Sequence, residues 1–200
     1  MKIHITNLKK RFNDKLILDI EKIEIEKGLQ CVIGENGCGK TTLLNIIAGQ
    51  LHYDSGIVDY NNKPFSKLLA KDITLVPQKP YMLDRSVYGN IAYPLKLRKM
   101  SKNQINYEID KILDYLDLMP LKHQKATNLS VGETQKIALI RAMIFKPKLL
   151  LLDEPTSNID NKAIIKVETL IREYAKDNTV IMVTHSLTQV QRLTNRIIKL

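Results

Sequence analysis

Leu29-Gln30-Cys31-Val32-Ile33-Gly34-Glu35-Asn36-Gly37-Cys38-Gly39-Lys40-Thr41-Thr42-Leu43-Leu44-Asn45-Ile46-Ile47-Ala48-Gly49 decides the fold. A short apolar run, Leu29–Ile33, enters the pattern G-x-x-x-x-G-K-[ST] at Gly34–Thr41, and an apolar-periodic helix through Leu43, Leu44, Ile46 and Ile47 follows, ending near Gly49. The glycines let the backbone curl so that successive N–H groups point inward, and the helix N-terminus adds the positive end of its dipole. Such a loop cradles the β- and γ-phosphates of a nucleotide. Lys40 supplies a point charge, and the Thr41 hydroxyl is placed to ligate a magnesium ion bridging those phosphates. Gly34, Glu35, Asn36, Gly37, Cys38, Gly39, Lys40, Thr41 and Thr42 are therefore candidate nucleotide-binding residues.

Working outward, apolar runs at Ile73–Val76, Leu149–Leu152 and Val180–Val183 alternate with helical patterns, which predicts an α/β fold with a buried, mainly parallel sheet. The first residues read differently. Lys2–Thr6 and Leu16–Glu26 are strands with no helix between them, which predicts an antiparallel β layer ahead of the parallel core. From Gln78 to Ser130 the pattern turns helical: Ser101 can cap a helix whose Ile105, Ile109, Ile112, Leu113 and Leu116 share one face. The organisation expected is a single domain, 1–200, in which a helical subdomain at about 79–129 is inserted into a core made of 1–78 and 130–200.

A second acidic site follows from Leu149-Leu150-Leu151-Leu152-Asp153-Glu154, an apolar strand ending in two carboxylates. Ligands of open α/β sheets bind at the carboxyl ends of the strands, so both acids should emerge beside the phosphate loop. Asp153 suits a magnesium ligand, direct or through water, and Glu154 suits the general base that polarises attacking water.

The chain has 200 residues, 44% of them apolar, enough for a proper core. Its longest apolar runs fall far short of the ~20 residues that cross a bilayer, and Met1-Lys2-Ile3-His4 opens no secretory pattern. Cys31 and Cys38 have neither zinc-type spacing nor a disulfide framework, so reduced thiols in the cytoplasm are expected. The net charge of +10 comes from lysines scattered along the chain, which reads as a solvated surface, with an anionic membrane face as the second reading; no nucleic-acid partner is expected, and a non-transport, nucleic-acid-associated role stands as the alternative.

Leu129-Ser130-Val131-Gly132-Glu133 resembles the signature sequence of the ABC ATPase family, written Leu-Ser-Gly-Gly-Gln, and lies shortly before the acidic strand. Val131 stands in place of the first glycine and Glu133 in place of the glutamine; read locally, Ser130 and Glu133 form a capping box. The family's other elements occur in order. The resemblance implies that Phe12 stacks on adenine, that Gln78 in Val76-Pro77-Gln78 contacts the metal and the attacking water, that Ser157-Asn158-Ile159-Asp160 is the D-loop, and that His185 contacts the γ-phosphate.

It also implies an ATP hydrolase of the ABC fold, a P-loop NTPase core with an N-terminal antiparallel β layer and an inserted helical subdomain, using ATP and Mg²⁺. Two copies form an ATP-dependent homodimer that sandwiches two nucleotides, each between the phosphate loop of one copy and Ser130, Gly132, Glu133 and Asp160 of the other. Membrane permease subunits and an extracytoplasmic solute-binding protein would complete the system, holding this chain on the inner face of the membrane. The segment Val76–Leu95 is similar to that of bacterial import ATPases, including tungstate- and phosphate-type oxyanion systems, and Tyr81–Arg98 is the expected permease-docking surface.

Overall fold

A computed structural model describes the whole chain, Met1–Leu200, as two compact units. The first comprises residues 1–75, 147–154 and 171–200, and the second 76–146 and 155–170.

The first unit opens with strands β1 (Ile3–Phe12) and β2 (Lys15–Ile25), paired antiparallel, with β4 (Ser55–Tyr60) on the other side of β1 and the short β5 (Lys63–Pro64) beyond it. Ile3, Ile5 and Leu8 of β1, Ile25 of β2 and Val58 and Tyr60 of β4 are buried, so this sheet has one apolar face. The antiparallel layer is thus present, with β1 running on to Phe12, beyond the expected Thr6. At Asn7 the backbone is left-handed (φ 50) and the pairing of β1 with β4 shifts, which breaks the alternation that a sequence reading follows.

The parallel sheet is ordered β6 (Ile73–Val76), β7 (Leu149–Asp153), β8 (Thr179–Val183), β3 (Gly28–Ile33), β9 (Ile197–Lys199). β7, β8, β3 and β9 pair in parallel. β7 and β8 are buried throughout, the mark of a strand covered on both faces. Helix α1 (Lys40–Ile47) follows β3 and buries Leu43, Leu44, Ile46 and Ile47 in the core that also holds Ile3, Ile5, Leu149, Leu151 and Ile181.

The second unit contains α2 (Val87–Leu97), α3 (Lys102–Tyr115) and α4 (Val131–Met143). α5 (Asn161–Ala175) begins there and ends in the first unit, where α6 (Leu187–Leu193) also lies. Ser101 caps α3 in a capping box with Gln104, and Ile105, Ile109 and Leu113 are buried as the periodicity predicts. The unit is wider than the expected 79–129 segment because α4 packs on α2. Arg141 of α4 donates to Asn90 Oδ1 (3.0 Å) and to the Tyr81 carbonyl (2.9 Å), locking the two elements. No helix is long and apolar enough to cross a membrane.

Candidate functional site

The phosphate loop connects the end of β3 to α1, and its backbone is left-handed at Gly37 (φ 81) and Gly39 (φ 100). At Gly39 a Cβ would lie 2.5 Å from Leu18 Cδ2 and 3.1 Å from the Ile17 carbonyl oxygen, so only glycine lets β2 close against the loop. The β1–β2 hairpin that carries Phe12 is thereby placed beside the loop. Phe12 is 45% exposed, a solvent-facing ring and not part of the core, with Lys10 Nζ 5.0 Å from its centroid.

α1 is set apart from the other helices by how it starts. Serine side chains cap α2, α3, α4 and α6, and Asp160 accepts from the Ala163 N–H at the start of α5. α1 begins at Gly39, with no side-chain cap and no acidic residue in its first turn. Its positive end is therefore not neutralised from within the chain, which suits an incoming phosphate. Lys40 is 6% exposed, and its ammonium donates to the carbonyls of Gly34 (2.8 Å) and Glu35 (2.7 Å), spanning the loop. Thr42 follows in the first turn, partly covered, while Glu35 and Asn36 face solvent.

Thr41 Oγ1 donates to Asp153 Oδ2 at 2.7 Å, across 112 positions of sequence. This bond joins the phosphate loop to the end of β7. Asp153 is 4% exposed, and with Thr41 it places two hard oxygens together at the carboxyl end of β7. Magnesium usually keeps several waters and takes only one or two protein oxygens, so this pair fits such an ion.

Glu154, the next residue, has φ 48, a left-handed conformation that a side chain with a Cβ rarely adopts. Its N–H donates to the Val183 carbonyl (3.0 Å), and its Oε1 lies 2.7 Å from His185 Nε2. The chain on either side of the histidine is tied down in turn. Thr184, buried, donates to the buried Gln189 (2.7 Å) and accepts from the Ser186 N–H (3.2 Å), while Ser186 caps α6. Thr184 and Gln189 were not among the residues expected from sequence. A short polar pair flanking a lone histidine carries no distinctive pattern, and it emerges only once β8 and α6 are seen to pack.

The remaining expected residues lie in the second unit. Gln78 is exposed just after β6. At the head of α4 the capping box is formed: Ser130 N and Oγ donate to Glu133 Oε2 (2.8 and 2.7 Å), and Glu133 N donates to Ser130 Oγ (3.3 Å). These bonds hold the Glu133 carboxyl below its ordinary pKa. Val131 is 66% exposed. At Gly132 a Cβ would stand 2.5 Å from the Asn158 carbonyl oxygen, so glycine here admits the Ser157–Asp160 loop against α4.

The site is thus a phosphate cradle beside a carboxylate–imidazole pair, the arrangement of a nucleotide hydrolase. The ABC transporter family model matches residues 21–157, and the chain belongs to that family, whose ATP-binding subunits hydrolyse ATP to drive transport. It is 43% identical to the tungstate uptake system ATP-binding protein TupC of Peptoclostridium acidaminophilum, over 99% of this chain and 94% of that protein. It is 35% identical to the Fe(3+) ions import ATP-binding protein FbpC of Fusobacterium nucleatum subsp. nucleatum, over 98% of this chain and 54% of that longer protein. Among solved structures it resembles an ATP binding subunit of an ABC transporter (TM-score 0.90, 18% identity, 100% of this chain and 86% of that one). It also resembles cbiO1 from Clostridium perfringens, part of the ABC transporter complex cbiONQ (TM-score 0.84, 26% identity, 98% and 83%).

Proposed function

We propose that this chain drives import of a tungstate-type oxyanion, acting on the cytoplasmic face of the membrane as an ATP-dependent homodimer on permease subunits that an extracytoplasmic binding protein supplies. The cargo and direction rest on the likeness to the tungstate uptake subunit. The chemistry rests on one observation above all, the Thr41–Asp153 hydrogen bond that brings the phosphate loop to the strand carrying Glu154.

Lys40 and the uncapped start of α1 bind the β- and γ-phosphates. Thr41 and Asp153 would hold Mg²⁺, which supplies charge neutralisation on the phosphate oxygens. His185 engages Glu154 Oε1 and so fixes the carboxylate, leaving Oε2 to take a proton from the attacking water. Water oxygen then bonds to the γ-phosphorus, the bond to the bridging oxygen breaks, and ADP leaves with that electron pair. Phe12 packs against adenine; Gln78 orients the attacking water and would help Thr41 and Asp153 hold the ion. Ser130, Gly132, Glu133 and Asp160 of the second copy close the site, and closure moves the permease.

The test is uptake and turnover together. Deleting the gene should abolish high-affinity tungstate accumulation, restored by the wild-type chain and not by Lys40→Ala. Normal tungstate uptake in the deletion strain, with uptake of another solute lost, would reject the cargo and leave the ATPase standing. Absence of Mg²⁺-dependent ATP hydrolysis by the permease-bound chain would reject both.

A further inference from the structure

At the opposite end of β3 from the phosphate loop, the first unit carries a cleft of about 490 Å³ whose lining includes Lys27, Gly28, Arg172, Thr194 and Lys176, with Arg196 beside them. Four of its lining side chains are cationic and none is acidic. β3 has six residues, which puts roughly 20 Å between this cleft and the phosphate loop.

Arg196 is built into place. Its guanidinium donates to the Lys27 carbonyl (2.7 Å) and lies under Gly28, where a Cβ would come 3.1 Å from Nη1. Gly28 is left-handed (φ 114), so both its backbone and its missing side chain make room for the arginine. The main chain on either side is tied down as well. Arg196 N donates to Thr194 Oγ1 (3.1 Å), whose hydroxyl donates to the Leu29 carbonyl (2.8 Å), and Cys31 N donates to the Arg196 carbonyl (3.0 Å). A guanidinium fixed this way still has donors to spare, since one of its five is used.

Arg172 faces the same cleft and has no hydrogen-bond or ion-pair partner. Its position in the last turn of α5 suits the helix dipole, which accounts for one cation there but not for four converging. The carboxylates nearby lie outside the lining: Asp177 is 3.5 Å from Lys27 Nζ and Glu173 is 2.6 Å from Lys176 Nζ. They offset the two lysines, and Glu26, whose carboxyl is held below its ordinary pKa first by its bond to Lys2 and in smaller part by Arg196, faces the second arginine, which leaves Arg172 as the cation without a partner. The surplus extends beyond the cleft, for the Met1 ammonium, which donates to Thr179 Oγ1 (2.9 Å), has its pKa lowered by burial first and then by repulsion from Lys148 and Lys27.

We infer that this cleft is a binding site for a small tetrahedral dianion of the phosphate class, held by Arg172 and Arg196 with Lys27 and Lys176 at its rim. Guanidinium forks match tetrahedral oxyanions, and the ligand bridges α5 to the β9–β3 ladder whose far end, Leu200 N to the Ile33 carbonyl (3.0 Å), abuts the phosphate loop. The same chemistry is offered by free phosphate and by a phosphomonoester lipid headgroup.

Calorimetric titration of inorganic phosphate into the full chain carrying Lys40→Ala, which silences the nucleotide loop, should give saturable binding. Arg172→Glu, which removes no contact within the protein, and Arg196→Ala should each weaken it by roughly tenfold or more. In parallel, sedimentation with phosphatidylcholine vesicles containing phosphatidic acid distinguishes the source. Vesicle binding that needs Arg172 and Arg196 and resists free phosphate identifies a headgroup; displacement by phosphate identifies the free ion. Phosphate and vesicle binding that are both absent, or both unchanged in Arg172→Glu and Arg196→Ala with native circular dichroism, overturns the site. ATP hydrolysis lost in Lys40→Ala but not in Arg172→Glu keeps this result separate from the assignment of the nucleotide site.

Discussion

Lys40 is buried among backbone carbonyls, so its charge is committed to the phosphate loop. Lys40→Ala should abolish ATP binding, read by fluorescent-nucleotide titration; retained Mg²⁺-dependent binding at wild-type affinity would refute the role. Glu154→Gln keeps the shape of the side chain but cannot accept a proton. Turnover should fall by about two to four orders of magnitude with nucleotide affinity little changed, as single-turnover kinetics will show. His185→Ala should lose hydrolysis for a different reason, since Glu154 Oε1 then has no imidazole to hold it. The two cysteines give an independent probe of the loop. Burial pushes the Cys31 thiol up to about 12, so it stays protonated and unreactive at pH 8, whereas Cys38 is partly exposed with its sulfur 3.8 Å from Lys40 Nζ. A chromogenic disulfide reagent should therefore titrate one thiol in the native chain and two after denaturation, and ATP should slow the native reaction. Equal native rates at both thiols would contradict the placement of Cys31 in the core.

Helix caps separate structural from functional roles among residues of one type. Ser101 and Ser130 both sit in capping boxes, on α3 and α4. Ser101→Ala should cost about 1 kcal/mol of stability with turnover unchanged, while Ser130→Ala should cost a similar amount and also lower ATP hydrolysis. Denaturant titration alongside steady-state turnover checks both. The Ser101 cap, the Ser130–Glu133 capping box, the phosphate loop and the acidic end of β7 were legible because each is a local pattern whose neighbours in sequence are its neighbours in space. β4 and β9 were not. β4 exposes Ile57 (55%) and β9 has only three residues, so neither shows the apolar run that marked the other core strands. The Thr184–Gln189 bond beside His185, and the place that Gly132 leaves for Asn158, depend on packing and leave no spacing to read.

Between copies and partners, exposure sharpens the docking expectation. Tyr81 is 73% exposed and Tyr93 39%, but Tyr88 donates from its hydroxyl to Asn106 Oδ1 (2.7 Å) and packs within the second unit. Cysteines at 81 and 93 should cross-link to a co-expressed permease and one at 88 should not; the reverse pattern would move the docking face elsewhere. The Glu154→Gln chain with ATP and Mg²⁺ should elute as a dimer that ADP does not support. An unchanged monomer would count against the nucleotide sandwich. Glu154 also sets stability and activity against each other. Its left-handed backbone costs about 1–2 kcal/mol that asparagine or glycine, which accept such angles, would recover. Glu154→Asn should therefore raise the melting temperature by a few degrees while abolishing hydrolysis, measurable by calorimetry and phosphate release. A library of this chain selected for thermal endurance alone would tend to discard the glutamate proposed as its general base, and only selection that demands transport would keep glutamate in so uncomfortable a place.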